Sequence, residues 1–372
     1  METGLSEPWV EEAWGKVVAK VERTSKRIGA TFPYASINGK YNAESAVWWT
    51  SGFWPGLLWL IYRENGNKEL LNIAVSCEDQ MDEPLLGYEK LHHDVGFMWS
   101  LTSVAQYKLV GTDMSKRRGL MAASHLAGRY NANGHFIRAW NGESQQGWAI
   151  IDCLFNLPLL YWASETAGDP RFRHIAVSYA DTVLREFIRP DGSSHHIVCF
   201  DPETGERIEA RGGQGYSPDS AWSRGTSWAL YGMALSYRYT GHVRYLDAAK
   251  RVAHFFLANM PTDRAPYWDF RAPNEEEKAY DTSAAACAAS GLLEISRFVS
   301  EHEAQLYTEA AKRILRMLME QYASWGEDEE GILTMATANF PKRSFVNVPI
   351  IYGDYFFAEA LTKLRGRTEL FW

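Results

Sequence analysis

No stretch of this 372-residue chain supplies the roughly 18 consecutive uncharged apolar residues of a membrane span, so a helical membrane protein is excluded. The opening METGLSEPWVEEAWGKVV lacks a basic region followed by an apolar core and a cleavage site, and secretion by a standard signal is not expected. Cysteine is scarce. Cys77, Cys153, Cys199 and Cys287 stand far apart with no CxxC pair, which fits buried free thiols in a reducing, cytoplasmic setting better than disulfides or zinc. Positive charge is short as well: 38 Lys and Arg against 46 Asp and Glu leave a net charge of −8, which argues against nucleic acid or an anionic membrane as a partner. A small anionic ligand stays compatible if a few basic groups converge in a pocket.

Chemistry-bearing motifs are also missing. No GxGxxG opens a strand-turn-helix unit, and neither GxxxxGK[ST] nor a GxSxG elbow occurs, so nucleotide binding and serine-hydrolase catalysis have no support. His92-His93-Asp94 invites a metal reading, yet adjacent histidines point different ways on a helix and no HExxH pair exists. Neither a metal nor any other cofactor is expected. No Gly/Ser/Pro-rich linker divides the chain, and residues 1–372 read as one domain, monomeric or homodimeric.

What is present is aromatic and periodic. Aromatics make up 14% of the residues, including 15 tryptophans, several of them in loop-like stretches where flat apolar faces suit sugar rings; aromatics also fill ordinary cores. A recurrent turn appears as GNKELLNIA at Gly66, GDPRFRHIA at Gly168 and GHVRYLDAA at Gly241, with a degenerate copy at Gly111. Apolar spacing of three and four residues predicts helices over 6–26, 54–64, 68–82, 94–109, 113–130, 152–166, 170–188, 223–240, 243–259, 281–299, 302–323 and 353–366. The even-numbered helices of that series are apolar or small on most faces, whereas the odd ones carry a charged face. Six buried helices ringed by six amphipathic ones predict an all-α (α/α)6 barrel, with an open solenoid as the alternative.

Loop length locates the function. Turns out of the even helices are short, while those entering them are long, roughly 27–53, 131–151, 189–222, 260–280 and 324–352, and long loops in a compact domain are usually functional. In an alternating barrel they share one mouth, into which the inner-helix N-termini direct their positive dipole ends. There the segment AIIDCLFNLPLLYW places Asp152 at the head of an apolar run, where lost solvation would raise its pKa and keep a proton donor loaded. The simpler reading is that Asp152 caps the following helix. Carboxylates beside aromatics are the inventory of a glycan-processing acid/base enzyme.

The segments WWTSGFWPGLLWL, LHHDVGFMWSL, AIIDCLFNLPLLYWA, DSAWSRGTSWALYGMA, YDTSAAACAASGLLEI and YGDYFFAEAL resemble, in order from Trp48 to Leu364, the unsaturated glucuronyl hydrolases of glycoside hydrolase family 88. The resemblance implies an (α/α)6 barrel that, without metal or cofactor, removes a 4,5-unsaturated uronic acid from the non-reducing end of lyase-generated oligosaccharides. It implies Asp152 as general acid/base and Asp94 as the second essential carboxylate. Trp49, His93, Trp140, His196, Gln214, Trp222, Arg224 and Trp228 fall at substrate-binding positions, with Arg224 gripping the uronate carboxylate. Simpler alternatives stand beside these roles: Asp94 as an N-cap, Trp228 as inner-helix core, and Arg224 paired with a loop acid such as Asp219. Asp281 and Asp354 read as helix caps, and pattern alone does not choose Asp152 and Asp94 over them. Lys342 and Arg343 are candidate sulfate contacts or a solvated pair. The competing activities are an unsaturated rhamnogalacturonyl hydrolase with the same barrel and a non-catalytic glycan-binding barrel.

Overall fold

Glycine sets the rhythm of the chain. Gly66, Gly111, Gly168 and Gly241 each take a left-handed backbone, φ 67°, 82°, 66° and 68°, directly after a buried helix, a conformation that costs glycine nothing and ends a helix abruptly. Asn67 and Asp169 then open the next helix by accepting the Glu69 and Arg171 N–H groups, both at 3.0 Å.

The computed structural model of the chain describes residues 7–273 and 279–372. Residue 6, the expected start of the first helix, and residues 274–278 of the expected 260–280 loop lie outside the described residues. Outer helices are α1 (Pro8–Ile28), α3 (Lys68–Gln80), α7 (Asp113–Gly128), α9 (Pro170–Glu186), α11 (Val243–Asn259) and α13 (Glu301–Gln321). Short α4 (Asp82–Gly87) follows α3. The inner helices are α2 (Phe53–Asn65), the paired α5 (Val95–Trp99) and α6 (Ala105–Val110), α8 (Leu157–Ala167), α10 (Ser223–Thr240), α12 (Thr282–Ser296) and α14 (Ile351–Leu364). Every residue of α12 but the last, Ser296, is buried, whereas α9 buries a single stripe. Each inner helix meets the next, and α14 returns to α2, so the ring closes and the open solenoid is excluded. The architecture is an (α/α)6 barrel, and all four cysteines are free and buried in it.

Several local features depart from the sequence-based expectation. The helix expected over 94–109 is broken by a π-helical turn at Ser100–Val104. The helix expected from 152 begins as a 3-10 turn, Ile151–Phe155, and becomes α-helical only at Leu157. Pro158 explains this, because it has no N–H to give the Leu154 carbonyl that an earlier start would require. Short strands, absent from the sequence reading, organise the long loops: β1 (Phe32–Ile37) with β2 (Lys40–Glu44), β3 (Tyr130–Asn131) with β4 (Phe136–Ile137), and the sheet β5 (Trp148–Ile150), β6 (Ile197–Phe200), β7 (Arg207–Arg211). Asp354 is no cap. It lies inside the first turn of α14 and accepts the Ile332 and Leu333 N–H groups, both at 2.8 Å, and the Tyr41 hydroxyl at 2.7 Å, pinning the loop that precedes the helix. Asp281 does cap α12, accepting from Ala284 N–H at 3.4 Å.

Candidate active site

The long loops do converge. A cavity of about 800 Å³ is lined by Trp48 and Trp49 ahead of α2, His92 and Asp94 ahead of α5, Trp140 to Asp152 ahead of α8, His196 to Arg224 ahead of α10, and Ala338 to Tyr352 ahead of α14. Backbone pairing between loops holds the cavity in shape. His93 N–H donates to the Ala139 carbonyl at 3.2 Å, Ala139 N–H to the Trp148 carbonyl at 2.8 Å, and Ile151 N–H to the His196 carbonyl at 3.0 Å. Residues from three loops are thereby locked together, with β5 and β6 as the bridge.

Asp152 is the second residue of its 3-10 turn and does not occupy the N-cap position, which belongs to Ile150. Its Oδ1 is buried without a hydrogen-bond partner, and burial, followed by the charge of Asp94, pushes its pKa well above the ordinary carboxylate range. Asp94 is treated in the opposite way. Burial alone would raise it, but His92 Nδ1 lies 3.2 Å from one carboxylate oxygen, while His93 Nε2 and Asn156 Nδ2 each lie 3.4 Å from the other. Together these hold Asp94 below its ordinary value. One carboxyl is thereby driven toward the protonated form and its neighbour toward the ionised form, the division of labour that acid/base chemistry needs. Asp94 gives no cap bond to α5 either, so the simple N-cap reading fails for it.

His93, expected at a substrate-binding position, is not among the residues that line the cavity. Its ring is wholly buried behind Asp94, with Nε2 also 4.0 Å from Asp152, and burial lowers its pKa to about 4, which leaves it neutral. The cavity is lined instead by His92, which pattern could not separate from its neighbour. His92, His93 and Asp94 place possible metal-ligand atoms within 4.8 Å of one another. The Asp94 carboxylate already lies between the two imidazoles, which makes the group read as a clamp on that carboxylate.

His196 is neutral too, its pKa pushed down to about 3 by burial. Its Nδ1 lies 2.8 Å from the Gln214 backbone nitrogen and 3.2 Å from the Gly212 carbonyl oxygen, while Nε2 has no partner of its own. Trp228 Nε1 and the Tyr352 hydroxyl, also of lining residues, are buried and unpaired as well. Unpaired buried polar groups gathered in one cavity are the mark of a site shaped for a polar ligand. Trp228 is at once core and lining, with its ring centroid 4.8 Å from Phe97 and 5.0 Å from Phe155. Trp49 stacks on Tyr352 at 5.3 Å, Trp140 lies 5.9 Å from Trp148, and Trp222 lies 4.4 Å from His196.

Arg224 departs most from its expected role. Its Nη1 donates to Asp281 and to the Thr337 carbonyl, both at 2.6 Å; Nη2 donates to Gln214 Oε1 at 2.9 Å and to the Ala338 carbonyl at 2.5 Å. The fork is filled by the protein, with Asp281 and not Asp219 as the acid. Arg224 lines the cavity between Trp222 and Tyr352 and fixes Gln214, but it has no free pair of donors for a carboxylate. Lys342 lines the cavity, whereas Arg343 lies over the Phe340 ring at 4.0 Å. Tyr352, Trp148, Glu44, Arg211 and Asn156 were not singled out by sequence. Tyr352 had a signal in the YGDY segment at the mouth, and Asn156 stands one turn beyond Asp152.

Comparison with known proteins agrees with this fold. The model of Glycosyl Hydrolase Family 88 matches residues 21–347. The unsaturated glucuronyl hydrolase of Bacillus sp. strain GL1 is 38% identical over 97% of this chain and 98% of its own length. Its crystal structure superposes with a TM-score of 0.92 at 37% identity, covering 95% of this chain and 96% of that one. The unsaturated chondroitin disaccharide hydrolase of Streptococcus pyogenes serotype M1 is 32% identical over 99% of this chain and 94% of its own.

Proposed function

Since the chain belongs to glycosyl hydrolase family 88, we propose that it removes a 4,5-unsaturated glucuronyl residue from the non-reducing end of lyase-generated glycosaminoglycan oligosaccharides. It is a glycosidase, and the observation that carries the finer reading is the pair Asp152 and Asp94, adjacent in one aromatic cavity with pKa values driven apart. A pure binding site would need no loaded acid.

In this reading protonated Asp152 gives its proton to C4 of the C4=C5 double bond while positive character develops at C5. Water adds at C5 and returns a proton to the same carboxylate, which is thereby reset. The hemiketal so formed collapses, the ring opens, and the partner sugar leaves with its own oxygen. Asp94, ionised, orients ring hydroxyls and keeps Asp152 protonated by its charge. Trp49 and Trp140 supply flat faces for sugar rings. The partner-free ring nitrogens of His196 and Trp228, with Gln214 held by Arg224, meet the oxygens of the uronate. The charge of Arg224 acts on that carboxylate from behind Gln214 instead of through a bidentate grip. The described residues share one main hydrophobic core that runs from Val10 to Trp372, which supports a single catalytic domain.

The test is a panel of unsaturated disaccharides from chondroitin, hyaluronan, heparin, gellan and rhamnogalacturonan, followed by loss of the ultraviolet absorbance of the conjugated acid. Loss with the glycosaminoglycan members is expected. Turnover confined to rhamnogalacturonan fragments would favour the rhamnogalacturonyl activity, and retained binding with no turnover across the panel would favour a glycan-binding barrel.

A further inference from the structure

Asp94 occupies the residue just before α5, the position from which an aspartate ordinarily turns back to accept the N–H of the second or third helical residue. The third residue of α5 is Phe97. Its N–H is taken by another residue: Asn156 Oδ1 accepts it at 2.9 Å. Asn156 belongs to the neighbouring inner helix pair, where it closes the 3-10 turn that carries Asp152 and precedes α8. It is wholly buried, and its Nδ2 lies 3.4 Å from Asp94 Oδ1. One amide thus satisfies the donor that Asp94 would otherwise claim and steadies the freed carboxylate. The close approach this requires is built into the backbone, because a Cβ on Gly96 would stand 2.3 Å from the Asn156 Cα.

We propose that Asn156 is a positioning residue that caps α5 from across the barrel, and so releases Asp94 from capping and holds its carboxylate in the cavity beside Asp152. An N-terminal donor left open in a buried place is costly. Without the Asn156 oxygen the Phe97 N–H needs another acceptor, and the N-cap position of Asp94 makes its carboxylate the one able to swing back onto its own helix. Asp152 would then lose the neighbouring negative charge that keeps it protonated. His92 and His93 also face Asp94, both from its own segment, and Arg224 acts on Asp152 from α10, so these groups stay constant when Asn156 is changed.

The inference rests on the roles proposed for Asp94 and Asp152, and the experiment separates the two. The pH dependence of kcat and kcat/KM is measured on an unsaturated chondroitin disaccharide for the wild type, Asn156→Ala, Asn156→Asp, Asp94→Asn and the double variant Asp94→Asn with Asn156→Ala. Activity needs protonated Asp152, so the alkaline limb marks its deprotonation. Asn156→Ala is expected to lower kcat by about tenfold or more, to move the alkaline limb down by about one pH unit and to change KM little. Asn156→Asp keeps an acceptor for the Phe97 N–H but sets a second acid beside Asp94 in place of the amide donor, so the limb is expected not to move down. In the Asp94→Asn background the alanine change is expected to add almost nothing. A folded Asn156→Ala with wild-type kcat and limb overturns the proposal, as does the same downward shift in Asn156→Asp, which decides the matter if the alanine variant does not fold. Full activity of Asp94→Asn would instead remove the role of Asp94 itself.

Discussion

Identity of residue type was legible long before orientation. The sequence placed a carboxylate at the head of an apolar run and a second one after two histidines, and both line the cavity. Which histidine faces the cavity was not legible, because neighbours in a chain differ only in direction, and direction is set here by the His93–Ala139 backbone bond between two loops. Arg224 shows the same limit. A lone arginine at a turn looks free in sequence, whereas its acceptors come from residues 214, 281, 337 and 338. Because those acceptors are protein groups, Arg224→Lys, which retains the charge but loses the planar fork, is expected to cost stability as well as activity. The Asp281 pair is buried, and breaking such pairs outright costs about 3–5 kcal/mol, so the lysine should lower the melting temperature by several degrees and raise KM as Gln214 loosens. Calorimetry together with steady-state kinetics checks this. Unchanged melting with a tenfold loss in kcat/KM would return Arg224 to direct contact with substrate.

Helices were readable because 3.6-residue periodicity and left-handed glycines are local signals, and the four turns at Gly66, Gly111, Gly168 and Gly241 fall where the pattern put them. The strands were not, since each is only two to six residues long; three of the pairings are hairpins inside one loop, and the fourth, β5 with β6, joins two loops far apart in sequence. The π-helical turn in the α5–α6 stretch was invisible for another reason: it inserts a residue within Ser100–Val104, where no glycine or proline marks an interruption. At this scale the contact between α5 and the turn before α8 controls the site, and glycine at 96 is what permits it. Gly96→Ala puts a methyl group against backbone with nowhere to go. Overpacking of this kind costs about 1–3 kcal/mol. The expected result is a modest fall in melting temperature with a larger fall in kcat than in substrate affinity, since Asp94 and Asp152 stand on the two elements forced apart. Equal activity at a lowered melting temperature would show that the contact is structural only.

For the whole molecule, alternation of buried and amphipathic helices was enough to infer a barrel, and the rule that long loops share one end was enough to find its mouth. Closure at the opposite end was not foreseen. The last residues fold into the barrel, where Trp372 is buried against Phe97, Phe155 and Phe356 and donates to Glu359 at 2.7 Å, while Lys108 donates to the Leu370 carbonyl at 2.8 Å. A ring layer thus runs from that end through Phe97 and Phe155 to Trp228 at the floor of the cavity. No described helix is long and apolar enough to cross a membrane. Burial is the leading cause of the upward pKa shift at Asp152, and the proposed mechanism stands on that single carboxyl giving one proton and taking back another. The most direct measurement is kcat for Asp152→Asn on an unsaturated chondroitin disaccharide, with substrate affinity and melting temperature determined on the same preparation. A fall in kcat of at least about a hundredfold with affinity and melting nearly unchanged is predicted, the scale of losing an acid/base; a folded variant with near-normal kcat would contradict it.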